Sequence, residues 1–161
     1  MAEMTVFEGT FEETVSTVTL NPSIDLGSRR TYKGERYVYC YNNSGEAITK
    51  EFGVKLVTGC SGYTVAVTSL TDAVHPCVGV AKNTSVSDTG YFWAMTRGFT
   101  NLHTSNSILT GDYQVIALAA DGGFGRPRID AQIATAAGCG YALNANTASG
   151  GTFYAFINTG F

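Results

Sequence analysis

Charge is scarce in this chain: Asp, Glu, Lys and Arg make up 14% of its 161 residues, against roughly 25% in an ordinary soluble domain. The net charge of −3 gives no general attraction to nucleic acid or to anionic membrane, so neither is an expected partner. No apolar run approaches the roughly 20 residues that a spanning helix needs. The N-terminus, "MAEMTVFEGTFEE", is acidic where a signal peptide would be basic and then apolar. The expectation is a soluble protein made in, and retained by, a cytoplasm.

Chemistry-bearing residues are also few. There are two histidines, His75 and His103, and neither has an acid placed beside it. The four cysteines, Cys40, Cys60, Cys77 and Cys139, form no C-x-x-C pair, the close spacing that zinc sites usually show. They read as small buried thiols, since disulfides are not expected in a cytosolic product. Neither H-E-x-x-H nor G-x-S-x-G occurs. "DGGFGRPRID" is glycine-rich with Arg126 and Arg128, but Pro127 sits where a phosphate-binding helix would begin, so it reads as a turn. Asn42-Asn43-Ser44 and Asn83-Thr84-Ser85 match the glycosylation sequon without any sign of secretion. No catalytic residue, metal site or cofactor is expected, and the chain does not read as an enzyme.

What is plentiful is glycine, 19 residues, and threonine, 21 residues. Together with the low charge they point to many short strands joined by tight turns. In "RYVYCYNNSGE", Tyr37, Tyr39 and Tyr41 alternate with Val38 and Cys40, the period of two that places the tyrosines on one strand face. "NNSGE" supplies a turn. "FGVKLVTGCSGYTVAVTSL" and "GDYQVIALAADGG" continue in kind, and only "IDAQIATAAG" leaves room for a short helix, capped by Asp130 and ended by Gly138. The fold class is all-β: a single-domain barrel or sandwich over residues 26–161, preceded by an extended arm at 1–25.

The two halves also resemble each other. Residues 72–99 run Asp72-Ala73, Gly79-x-Ala81-x-Asn83, then an aromatic stretch ending Gly98-Phe99. Residues 130–161 run Asp130-Ala131, Gly140-x-Ala142-x-Asn144, then "TFYAFINTGF" ending Gly160-Phe161. An internal pseudo-repeat accounts for this order, although a glycine-rich chain produces part of it by chance. In "GYFWAMTRGF" (90–99) the shared aromatics then read as core. Trp93 and Arg97 are particular to the first copy, with Trp93 in phase with Tyr91 and Met95.

The arm carries Glu3, Glu8, Glu12, Glu13 and Asp25 with no base, but also Val6, Phe7, Phe11, Val15, Val18 and Leu20. A solvated tail would be poor in such residues, so the arm is expected to dock on a neighbour. The basic cluster after it, Arg29, Arg30, Lys33 and Arg36, is a plausible electrostatic counterpart, or equally the solvated face of a first strand. Phe7, Phe11, Arg29, Arg30 and Arg97 are the candidate interface residues.

"LGSRRTYKGERYVYCYNNSGEAI", "HPCVGVA" and "TGYFWAMTRGF" follow in order a Leu-Gly, an Arg-Tyr-Val-Tyr strand, a Gly-Val-Ala step and a Gly-aromatic-x-Trp strand closing in Arg-Gly. Over residues 26–99 this resembles the small β-rich decoration, or cement, proteins of tailed-bacteriophage heads. The resemblance implies a virion protein on the outer capsid surface, a homo-oligomer with the trimer favoured, clamping neighbouring subunits of the major capsid protein. A carbohydrate-binding β domain of a phage fibre, with exposed tyrosines and Trp93 as a platform, is the alternative.

Overall fold

In the computed structural model, the residues described are 18–20, 24–57, 63–66, 77–104, 115–118, 122–125, 138–146 and 150–160. Among them there are twelve β-strands and no α-helix, so the chain is all-β. The candidate helix at "IDAQIATAAG" falls almost entirely outside them, as do Phe7 and Phe11.

Two long strands organise the molecule, β2 (Glu35–Asn42) and β8 (Tyr91–His103). They pair antiparallel, with Tyr39 opposite Trp93 and Cys40 opposite Phe92. β1 (Arg29–Tyr32) enters β2 through a two-residue turn, where Lys33 at φ 47° and Gly34 at φ 82° adopt the left-handed pair that hairpin twist requires. From the other end of β2 the pairing runs through β5 (Thr64–Ala66), β4 (Gly53–Leu56) and β6 (Cys77–Ala81) back to β8. Because β2 also pairs with β8, these five strands close into a ring. The short ladder of β3 (Ile48–Thr49) and β7 (Ser85–Val86) adds Ile48 and Val86 to its core.

β8 outruns the ring. Met95 pairs with Tyr37 of β2 and with Val80 of β6, while Arg97 pairs with Arg36 of β2 and Asn158 of β12 (Thr152–Asn158). β6 and β12 therefore share one edge of β8, β6 pairing with Ala94 and Met95 and β12 with residues 97–103. Thr159 sits where they part: its N–H donates to the Thr96 carbonyl (3.0 Å) and its hydroxyl to the Val78 carbonyl (2.9 Å). Beyond β12 the sheet continues through β11 (Gly140–Ala142), β9 (Val115–Leu118) and β10 (Phe124–Gly125), and Phe124 bridges back to Thr104, just past the end of β8.

Two cores result from the period of two. Val38, Cys40, Phe92 and Ala94 meet Val54, Val65 and Val78 in one; Tyr37, Tyr39, Trp93 and Met95 belong to the other, with Leu102, Phe153, Ala155 and Ile157. β2 and the first half of β8 are thus buried on both faces, which is why "YVYC" and "YFWAM" are unbroken apolar runs. Val18 packs on the first core, and Ile24 and Leu26 on the second. Thr19 forms a bridge with Tyr91. The body thus takes in residues 18–20 and 24–26, a stretch that the sequence assigns largely to the arm.

The two halves share a strand pairing, with Ala81 opposite Ala94 and Ala142 opposite Ala155. Their glycines match too. A Cβ on Gly79 would lie 2.7 Å from the Met95 carbonyl oxygen, and one on Gly140 2.1 Å from that of Phe156. This register carries Gly79 to Gly140 and Met95 to Phe156, and hence Trp93 to Tyr154 rather than to Ala155. Gly98 lies within β8 opposite Ile157, whereas Gly160 comes after the end of β12. Gly140→Ala forces the β11 and β12 backbones apart. It is expected to cost about 1–3 kcal/mol as overpacking, with Gly79→Ala costing less; thermal melts of the two variants check the order.

Candidate interaction surface

The second half of β8 differs from the first in which residues it buries. Between the Tyr37–Met95 and Arg36–Arg97 pairs the register shifts, leaving Thr96 as a bulge. Such a bulge bends the strand and re-aims the side chains beyond it. Gly98, at φ 149°, comes next, and a Cβ there would meet the Glu35 side chain at 2.9 Å and Met95 Sδ at 3.3 Å. After it Thr100 and Leu102 are buried, while Arg97, Phe99 and Asn101 are exposed. The parity of Trp93 and Met95, which points inward before the bulge, points to solvent after it.

That outward face is aromatic. Phe99 lies opposite Phe156 on β12, and Phe156 opposite Tyr141 on β11, a row across three strands. The neighbouring row places Tyr154 beside Asn101 and, through the Leu143 N–H bond to the Tyr154 carbonyl, beside Leu143. The Phe99 ring lies 5.0 Å from Phe156 and 6.2 Å from Tyr154. Phe99 is 53% exposed, Tyr141 47%, Tyr154 43% and Leu143 42%. Large apolar side chains left open and contiguous on a sheet mark an interaction surface rather than ordinary scatter. Arg97 and Asn158 supply its polar end, across from the exposed Arg36.

The residues singled out in the sequence divide. Arg97 lies at the edge of this face. Arg30 lies elsewhere, its guanidinium 5.1 Å from the centre of the Trp93 ring, and Trp93 itself is fully buried, against Tyr39 at 5.0 Å. Trp93 is core and no platform. Arg29 reaches the Tyr63 hydroxyl at 3.5 Å. Phe99, Tyr141, Tyr154 and Phe156 form the surface, although the pseudo-repeat assigns the aromatics of its two copies to a shared core. The signal that separates them is "TFYAFIN", whose two alternating sets are Phe153, Ala155, Ile157 and Thr152, Tyr154, Phe156, Asn158.

Polar groups away from the face have structural duties. The Tyr37 hydroxyl donates to the Glu35 carboxylate, and burial first, then that bond, pushes it well above the usual phenol range. Burial lowers the Lys82 ammonium, which donates to Thr100 Oγ1 at 2.6 Å. Cys40, Cys77 and Cys139 are buried free thiols, as expected; Cys60 lies outside the described residues. Burial raises Cys40, while a hydrogen bond with Cys139, followed by burial, raises Cys77, so these thiols are poor nucleophiles. Both sequon asparagines, Asn42 and Asn83, are buried. His103 stacks on Phe52 at 4.5 Å. His75, Arg126 and Arg128 lie outside the described residues, while Phe124 of the same glycine-rich segment is a fully buried core residue. Among the described residues, no group of three His, Cys, Asp or Glu is placed to hold a metal ion.

No protein-family model and no curated protein matches the chain. Among solved structures the fold is similar to that in "The crystal structure of head fiber gp8.5 N base in bacteriophage phi29", with a TM-score of 0.52 and 14% identity, over 76% of this chain and 95% of that one. At that identity the likeness is one of fold.

Proposed function

We propose that the protein is a structural component of a phage virion that sits on the outer surface of the head and clamps neighbouring major capsid subunits. The observation that carries this is the fold likeness, which takes in nearly the whole of a head-fibre base. Two features support it. A scaffold with both faces of its central strands buried is stiff, and a clamp needs stiffness. The aromatic face, exposed among the described residues, offers a contact surface. Several copies joined in one oligomer would hold a shell by avidity even where each contact is weak.

Purified protein added to heads that lack it is expected to cosediment with them and to raise the temperature at which they release DNA. Heads that neither bind it nor gain stability would overturn the proposal. The exposed rings also favour a second reading, a carbohydrate-binding domain of a fibre. Retention on immobilised cell-wall glycan without head binding would select it.

A further inference from the structure

We infer that the aromatic face of β8, β12 and β11 is the receptor for residues 1–17 of a second copy of this chain. The inference is independent of the head-surface reading, since it concerns how copies join and not what they join to.

The charge balance argues for this occupant. Residues 1–17 hold Glu3, Glu8, Glu12 and Glu13 and no base, so the whole-chain charge of −3 becomes +1 for the remainder. All the excess negative charge therefore lies in the segment, and the face it would meet ends in a cation. Arg97 and Arg36, both exposed, are direct cross-strand partners. Like charges so placed repel, and a carboxylate between them would relieve this.

The apolar content fits as well. In an extended chain Phe7, Phe11 and Val15 share one side, with Phe7 and Phe11 about 14 Å apart, against about 10 Å across three paired strands. Two phenylalanines at that spacing can lie over the row of Phe99, Phe156 and Tyr141 and its edge. Glu8 and Glu12 then fall on the opposite side and Glu13 on the docked side, toward the arginine end.

Reach and topology allow a neighbouring copy to supply the segment. The body begins at Val18 and Thr19, fixed at the start of β8 through Tyr91. Seventeen extended residues span up to about 58 Å, ample to cross to a neighbour. Continuing along the same edge of β8 is blocked, because Ala81 already pairs with Ala94 there. Among the described residues none covers the face, which leaves it available to a segment from another copy. Each copy then gives one segment and accepts one, either reciprocally in a two-fold dimer or head to tail around a ring.

The test uses the full-length protein. A photo-crosslinking phenylalanine analogue is placed at position 11, and copies bearing it are mixed with isotope-labelled copies without it. Cross-links are expected between copies, within residues 97–101, 141–143 or 152–158. Cross-links confined to one chain, or to another surface, would overturn the inference. In parallel, Phe99→Ser with Tyr154→Ser is expected to weaken self-association by about 10- to 100-fold, as loss of central interface aromatics does. Because both rings are exposed, the circular dichroism spectrum should be unchanged. Phe7→Ser with Phe11→Ser should give a similar loss, and the four substitutions together little more, since both pairs break one contact. Additive losses, or normal self-association with lost glycan or head binding, would assign the face to another partner.

Discussion

Trp93→Ala is expected to lower stability by about 3–5 kcal/mol, the usual cost of truncating a large buried aromatic. The indole is fully buried in the core shared by both halves. Tyr39 packs on it at 5.0 Å from the facing strand, and the Arg30 guanidinium covers it at 5.1 Å. Tyr39 in turn stacks on Tyr91, and Tyr91 meets Tyr41 at a tilt, so the cavity would open at the end of a row of aromatic rings. For a domain of this size the melting temperature should fall by roughly 6–20 °C. Urea unfolding should show a lower midpoint with an unchanged slope if the variant loses stability alone. Arg30→Ala serves as the control for the cover: loss of the cation–ring contact should cost only about 0.5–1 kcal/mol. A Trp93→Ala protein melting close to the parent would mean that the indole does not fill this core.

The contrast between Trp93 and Phe99 shows how far the sequence can be read. Alternation in "RYVYCY" marks a strand, and the buried state of Trp93 follows from its phase with Met95. The same phase carried forward would bury Phe99, and it does not, because the register slips by one residue at Thr96. A bulge is a relation between two strands, here Arg36 and Tyr37 against residues 95–97, and no local pattern within β8 records it. The same applies to the edge shared by β6 and β12: "GYFWAMTRGFTNLH" does not reveal that its two halves have different neighbours. The glycine matches are legible as Gly79-x-Ala81 and Gly140-x-Ala142. Their cause, a carbonyl of the partner strand too close for any Cβ, belongs to the pairing. That Val18 and Ile24, inside the stretch read as the arm, pack on these cores is likewise not visible before the cores they join are known.

Asn42 is the other residue whose weight the sequence hides, because "YNNSGE" reads as an ordinary turn. Its side chain is fully buried at the end of β2. Nδ2 donates toward the carbonyls of Glu46 (2.9 Å), Ser87 (3.0 Å) and Val86 (3.2 Å), while Oδ1 accepts from the Ser44 N–H (3.0 Å) and hydroxyl (2.7 Å). One amide thus ties the turn leaving β2 to the segment entering β8, where Gly45 N–H also reaches Asp88 Oδ1 (3.1 Å). Asn42→Ala leaves several of these partly buried groups without partners, each costing about 1–3 kcal/mol, so a total loss of about 3–5 kcal/mol is expected. Asn42→Asp is the more discriminating variant. It keeps the acceptor but turns the donor into a second oxygen facing three carbonyls, which favours the neutral acid and raises the carboxyl's folded pKa above its unfolded value of about 3.9. The penalty is therefore fully present above the folded pKa and shrinks as the pH falls toward 4, where the unfolded chain also takes up the proton. Urea midpoints of Asn42→Asp and the parent should converge on acidification, while the Asn42→Ala deficit stays nearly constant. Parallel pH profiles for the two variants would show that the amide's donors do not hold these turns together.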